Sequence, residues 1–310
     1  MERQSRRGFL KAVGTGAGVL AVAPAALASA APAPHLNDCE LGMLYDATKC
    51  VGCKACMSAC KRFNSQPGDL ACDKARFDKD GGLWDAPEDL TGNNRTIIKL
   101  YKESGRPWSY VKLSCMHCQN PACVSVCPVK ALTKDKQTGV IDYNKNACIG
   151  CRYCQIACPF NIPKFQWDRA LPQIVKCNLC KGSYLEEKGT TACAGACPTG
   201  AILFGTRKEL LQEARSRLQK SPGKYVPSIY GEKEVGGVNH LYIAGVPFAK
   251  LGLPTLPEGA PPEFSEKIHH TIYKGFIAPI ALYSTLCLIA LRNRRKEERA
   301  PQAGHSEEGQ

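Results

Sequence analysis

Sixteen of the nineteen cysteines in this 310-residue chain fall into four tight groups, and thiolates in such numbers are soft ligands for zinc or iron–sulfur clusters. Quartet one is Cys50-x2-Cys53-x2-Cys56-x3-Cys60, and quartet two is Cys115-x2-Cys118-x4-Cys123-x3-Cys127-Pro128. Quartet three is Cys148-x2-Cys151-x2-Cys154-x3-Cys158-Pro159, and quartet four is Cys177-x2-Cys180-x12-Cys193-x3-Cys197-Pro198. A close trio in one loop can wrap three irons of a cubane, while the cysteine four residues on, at a helix start, points away. In two-cluster ferredoxins that fourth thiolate ligates the other cluster. Two quartets therefore make one pair of clusters, and four quartets make two pairs, or four [4Fe–4S] clusters.

Other cysteine chemistries fit less well. A zinc ribbon uses two Cys-x2-Cys pairs separated by a longer stretch; quartet four alone could pass, but the Cys-x2-Cys-x2-Cys-x3-Cys runs do not easily make a tetrahedral site. A membrane-anchored structural zinc module is the alternative of another class. Disulfides would suit an exported protein, yet cysteines three residues apart in one loop rarely meet disulfide geometry. A c-type haem needs Cys-x-x-Cys-His, which is absent from the sequence. No residue outside the quartets marks a catalytic centre. His117, inside quartet two, reads as a hydrogen-bond donor beside the ligands rather than a ligand.

The net charge of +13 would ordinarily suggest nucleic acid or anionic lipid. Oxidised cubanes with four thiolates carry about 2− each, so four of them offset most of that excess. Lys49, Lys54, Lys61, Arg62, Lys112, Lys130, Arg152, Lys176 and Lys181 flank the quartets as this account requires. There is no aromatic–basic binding motif, and nucleic acid is not an expected partner.

The two ends carry membrane signals. Arg6-Arg7 precedes an Ala/Gly/Val run with small-x-small cleavage sites at Ala26–Ala28 and Ala28–Ala30, the pattern of a twin-arginine export signal over residues 1–30. Gly275 to Leu291 is an uncharged run followed by Arg292, Arg294, Arg295 and Lys296. It predicts a transmembrane anchor over 269–292 with a cytoplasmic tail at 293–310. The expected location is the inner membrane, with a single C-terminal span and the globular part in the periplasm. His269 and His270 fall near the expected interface, where anchoring or solvation is the ordinary role.

The elements that must position the cysteines are short. Ala131–Thr133 and Val140–Tyr143 predict a hairpin between quartets two and three, and Ala201–Phe204 a strand after quartet four. Thr206-x-x-Glu209 is a capping box for a helix to about Lys220, with Leu210, Leu211, Ala214 and Leu218 on one face. The expected organisation is a four-cluster domain over 31–205, a scaffold helix and strand over 206–245, and a Pro/Gly-rich linker over 246–268. The fold class is α+β: two ferredoxin-like dicluster [4Fe–4S] modules with pseudo-two-fold symmetry, plus a C-terminal transmembrane helix. The stretch 63–110 reads as an insertion without chemistry of its own.

The quartets in this order resemble the four-cluster ferredoxin subunits of the molybdopterin oxidoreductase superfamily. Leu41–Asp46, Gly205-Thr206-Arg207, Tyr230–Lys233, Gly245-Val246-Pro247 and His270–Gly275 are similar to the HybA-type iron–sulfur subunits of membrane-bound uptake nickel–iron hydrogenases. The resemblance implies that quartet one pairs with four and two with three. One cluster would take Cys50, Cys53, Cys56 and Cys197; a second Cys60, Cys177, Cys180 and Cys193. A third would take Cys115, Cys118, Cys123 and Cys158; the fourth Cys127, Cys148, Cys151 and Cys154. Cys39, Cys72 and Cys287 have no place in that scheme. Cys60 departs from the pattern in being followed by Lys61 instead of Pro. The resemblance further implies a non-catalytic electron-transfer subunit with hydrogenase small and large subunits and a multispanning quinone-reactive membrane subunit as partners. Formate dehydrogenase or a sulfur-compound reductase is the alternative setting.

Overall fold

In the computed structural model, which describes residues 38–64, 89–102, 108–269 and 277–298, short elements bracket each quartet. Strand β1 (Leu41–Asp46) leads into quartet one, and helix α1 (Ala55–Asn64) carries Cys56 and Cys60. The hairpin of β2 (Thr96–Tyr101) and β3 (Ser109–Ser114) precedes quartet two, whose Cys123 lies on α2 (Ala122–Ser125). Strands β4 (Leu132–Lys134) and β5 (Ile141–Tyr143) lead to quartet three, with Cys154 on α3 (Tyr153–Ala157). A second hairpin, β6 (Lys164–Phe165) and β7 (Ile174–Val175), precedes quartet four. Between its cysteines lies α4 (Tyr184–Lys188); α5 (Ala192–Gly195) holds Cys193, and β8 (Ile202–Thr206) follows.

The same order thus occurs twice: quartet, hairpin, quartet. Strand pairing joins the outer and inner quartets. β1 pairs antiparallel with β8, from Leu41 opposite Thr206 to Tyr45 opposite Ile202. β4 pairs antiparallel with β5, from Leu132 opposite Tyr143 to Lys134 opposite Ile141. Helix packing follows suit, α1 against α5 and α2 against α3. The strand before quartet one and the strand after quartet four are therefore to each other what β5 and β4 are in the inner pair.

β1 is the middle strand of a three-stranded sheet, between β8 and the parallel β9 (His240–Ile243). A middle strand is hydrogen-bonded along both edges, and the alternation of β1 sends its side chains to the two faces of the sheet. Leu44 packs with Leu210, Leu211 and Ala214 of α6 (Arg207–Lys220). Met43 and Tyr45 face the other way, into a core that includes Cys56, Cys177 and Cys193. α6 begins at the expected capping box: the Thr206 hydroxyl accepts from Glu209 N, and the Glu209 carboxylate accepts from Thr206 N at 3.0 Å. Leu210, Leu211 and Ala214 are buried, and Leu218 packs at the edge.

Two expectations about the C-terminal third change. Residues expected to run as an extended linker are packed instead: Val246, Leu251, Leu253 and Ala260 are buried, and Phe248–Leu251 form a 3-10 turn. Proline and glycine there shape tight turns on a surface of the core, which composition alone does not distinguish from an open linker. The first compact unit runs to Pro262, and the second comprises residues 263–310. Helices α7 (Pro261–His269) and α8 (Ile277–Glu298) are described; residues 270–276 between them are not. Within α8 the apolar stretch is Ile277 to Leu291. At 1.5 Å per residue it spans about 22 Å, short of a ~30 Å hydrocarbon core. Among the described residues no helix is long and apolar enough to cross a membrane, so the expected span over 269–292 is not found there. α8 also continues through residues 293–298, which were expected to belong to the tail. The expected signal (1–30), Cys72 and His270 lie outside the described residues.

Candidate iron–sulfur site

Each quartet begins with the same backbone device. The second residue after its first cysteine, namely Gly52, His117, Gly150 and Leu179, is left-handed, with φ of 70°, 48°, 72° and 51°. Successive turns of this hand point peptide N–H groups inward and form a concave nest for anions. Only two of the four positions are glycine, so the wrap is imposed by what it encloses as much as by residue type. Lys130, Asn161 and Gly200, three residues after Cys127, Cys158 and Cys197, are left-handed as well. Those three cysteines precede proline, which stops the local helix. Cys60 does not, and α1 runs on to Asn64.

That extra turn has chemistry. Asn64 Nδ2 donates to the Cys60 carbonyl at 3.0 Å and lies 3.7 Å from the sulfurs of both Cys60 and Cys180. Cys60 and Cys180, from quartets one and four, thus share one donor. With Cys177 and Cys193 they line one small cavity. We call these four set B. A second small cavity is lined by Cys50, Cys53, Cys56 and Cys197, set A.

Set C (Cys115, Cys118, Cys123, Cys158) and set D (Cys127, Cys148, Cys151, Cys154) are gathered by the inner quartets. Burial drives the Cys118 thiol well up, and the like charges next in weight belong to Cys115, Cys158 and Cys123. Burial pushes the Cys154 thiol up to about 11, followed by Cys148, Cys151 and Cys127. Neighbouring sets touch electrostatically in sequence. After burial and Lys112, Cys56 feels Cys193; Cys177 feels Cys115 after burial, Lys112 and Cys193; and Cys123 feels Cys154 after burial, Cys115, Lys176 and Cys158. These contacts relate A to B, B to C and C to D.

Burial pushes Cys56 and Cys123 up to about 12 and raises Cys50, Cys60, Cys115, Cys158, Cys177 and Cys180. Cys197 is the exception: burial raises it, but the Thr199 hydroxyl and the backbone N–H groups of Ile202, Ala201 and Thr199 outweigh burial and lower it. Converging buried thiols resist ionising unless positive charge arrives with the deprotonation, which is what bound iron supplies. Backbone donors already aim at sulfur: Ala131 N to Cys127 at 3.2 Å, Leu179 N to Cys177 at 3.4 Å and Ala192 N to Cys180 at 3.5 Å. The donor set therefore fits iron–sulfur clusters.

It does not fit the alternatives. Among the described residues no group of three or more His, Cys, Asp or Glu could hold a single metal ion, and tetrahedral zinc needs four donors about 2.0–2.3 Å from one point. No disulfide joins any of the described cysteines. Cys39 and Cys287 are exposed and outside the four sets. His117 is fully buried; its Nδ1 accepts from Ile141 N at 3.1 Å and its Nε2 has no partner. Its ring lies 5.4 Å from that of His240, and Lys176, Lys112 and the backbone of Cys177 are among the groups that act on it. The side chain of His269 is not described.

The flanking cations are not alike. Lys181 sits in an ion-pair network, 2.6 Å from both Asp135 and Asp142. Lys112 and Lys176 are instead buried, at 2% and 5% exposure. Lys176 Nζ donates to the carbonyls of Ile141 and Cys177, the latter at 3.0 Å. Lys112 Nζ donates to Ser114 Oγ at 2.8 Å. Burial opposes the charge of Lys112, but the Cys193 and Cys177 thiols, Tyr242 and Cys56 outweigh burial and hold its pKa above the ordinary lysine range. Sequence reasoning placed both lysines beside quartets but not inside, and it missed Asn64.

Comparison with known proteins agrees with this geometry. Residues 106–207 match the model of the 4Fe-4S dicluster domain. The hydrogenase-2 operon protein HybA of Escherichia coli O157:H7 is 37% identical over 94% of this chain and 97% of its own length, and the Shigella flexneri protein matches equally. The iron–sulfur subunit of the nitrate-inducible formate dehydrogenase of Escherichia coli K12 is 32% identical over 78% of this chain and 79% of its own. With two independent pairings of cysteine quartets in the fold and that identity across nearly its whole length, the chain belongs to the HybA family of 4Fe-4S dicluster proteins.

Proposed function

We propose that this chain is the electron-transfer subunit of an oxidoreductase complex, holding four [4Fe–4S] clusters in sets A to D. Its partners in this reading are the small and large subunits of a nickel–iron hydrogenase on one side and a quinone-reactive membrane subunit on the other. The observation that carries the proposal is the gathering of sixteen cysteines into four neighbouring sets, each completed by a cysteine from another quartet. The 37% identity to a hydrogenase-2 operon protein over 94% of the chain favours the hydrogenase setting. The 32% identity to formate dehydrogenase iron–sulfur subunits keeps that setting as the second reading. Export through residues 1–30 is the finer part of the proposal, supported by the twin arginine.

Bound cubanes supply one-electron chemistry. The chain's own residues fix each set's position through β1–β8 and β4–β5 pairing, exclude water by burial and point N–H groups at sulfur. Serine replacement tests the assignment, because its oxygen is a harder ligand of nearly the same size. Cys197→Ser and Cys53→Ser should perturb one paramagnetic resonance signal, and Cys60→Ser and Cys177→Ser another. Grouping of Cys197 with Cys177 instead would refute interleaved ligation. Reduction of the complex by hydrogen but not formate would decide between the two settings.

A further inference from the structure

We propose that Lys112 is a potential-setting residue, a buried fixed charge that raises the reduction potential of the cluster in set B. The inference rests on the four-cluster reading above and adds a role to a residue outside every quartet. Lys112 comes from β3, yet its side chain lines the same cavity as Cys60, Cys177, Cys180 and Cys193. It is 2% exposed, so water screens its charge little.

Of the other cations of the first unit with buried or nearly buried side chains, Arg207 meets Asp38 at 2.7 Å, Arg217 meets Asp46 at 2.9 Å and Lys134 meets Glu40 at 2.8 Å, while Lys176 donates to the backbone carbonyls of Ile141 and Cys177. Lys112 meets a hydroxyl, Ser114 Oγ at 2.8 Å, which lies 3.3 Å from His240 Nδ1. The Lys112 backbone is pinned in turn, its carbonyl accepting from the buried Tyr242 hydroxyl at 2.9 Å. A buried cation held by neutral groups is costly unless an anion stands nearby, and the cavity it lines is that of four thiols. Arg95 shares the lining but is partly exposed, its guanidinium held by Asn64 Oδ1 at 3.1 Å.

The electron count gives the direction. One-electron reduction takes a cubane with four thiolates from about 2− to 3−, with no proton moved. A nearby ammonium stabilises the more negative state, so the midpoint potential rises.

The test is a redox titration of the full chain in its complex, followed by paramagnetic resonance, with iron counted on each sample. The set B signal is identified as the one that Cys180→Ser perturbs. Lys112→Met should disfavour reduction of that cluster at least tenfold, equivalent to a fall of about 59 mV for one electron. Lys112→Arg, which keeps the charge, should titrate close to the parent. Full iron with an unmoved set B potential in Lys112→Met would overturn the proposal, and so would a Lys112→Arg shift as large as that of Lys112→Met. Should Lys112→Met lose iron, the arginine variant decides. Full loading at the parent potential supports a charge, whereas equal loss of iron shows that side-chain shape is what matters. A parent protein without four clusters would instead sink the underlying reading.

Discussion

Glu40 is the residue at which the two halves of the domain are fastened. Its carboxylate lies 2.8 Å from Lys134 Nζ and accepts from Gln119 Nε2 at 3.0 Å and Asn239 Nδ2 at 2.8 Å. Lys134 and Gln119 belong to the inner quartets, whereas Glu40 immediately precedes β1 of the outer pair. Removing one partner of a buried pair leaves the others desolvated and unmatched, at about 3–5 kcal/mol. Glu40→Ala should therefore lower the denaturant midpoint by an amount of that order, and Glu40→Gln by less, since the amide still offers an oxygen. Anaerobic urea unfolding reads both, and a Glu40→Ala loss below about 1 kcal/mol would show the contact to be peripheral. At this scale the sequence is readable for the ligands and silent about their surroundings. Cysteine spacing is a local constraint of cluster geometry, so sixteen residues announce themselves. Glu40, Asn64 and the depth of Lys112 depend on which strand lies across from which, and no local pattern carries that.

Among the elements, the hairpin between quartets two and three, the strand after quartet four and the helix from Thr206 were legible because turn residues and a capping box mark them. α1 was not, because its length depends on a proline that is missing. Lys61 stands where the other three quartets have proline, and the helix continues one turn to bring Asn64 to two sulfurs. Lys61→Pro would remove an interior N–H and clash with the preceding turn, at about 3 kcal/mol or more. It should also withdraw the Asn64 amide, so the set B signal should shift while those of sets C and D stay. Thr206→Ala is the contrasting case. Losing that cap should cost about 1 kcal/mol of stability with no spectral change. If Lys61→Pro behaves like Thr206→Ala, the extra turn of α1 has no part in the electronic environment of set B. The expected linker failed for a related reason: Pro/Gly-rich composition describes turns whether they are open or, as at Val246 and Leu253, pressed onto the core.

For the whole molecule, the cysteines are a large part of what lies inside. Cys56, Cys177 and Cys193 belong to the main core with Met43, Tyr45 and Tyr242, and Cys123 and Cys154 to another with Leu132 and Ile141. A core of this kind is incomplete as an apolar object: it contains converging thiols, Lys112 and Lys176 without carboxylate partners, and loops whose left-handed residues close around the four sets. Set A brings Cys50 to Cys197 and set B brings Cys60 to Cys177, so in the proposed ligation iron would also cross-link segments far apart in sequence, narrowing the unfolded ensemble as a disulfide would. The net charge of +13 points the same way, because removing four anionic cubanes restores a strongly self-repelling chain. Stripping iron under anaerobic chelation should therefore abolish the cooperative unfolding transition and the near-ultraviolet dichroism together. Iron and sulfide should restore both, at about sixteen irons per chain. Iron-free protein that still unfolds cooperatively, within a few degrees of the loaded form, would show that the strands and α6 hold the domain by themselves and that the clusters are passengers.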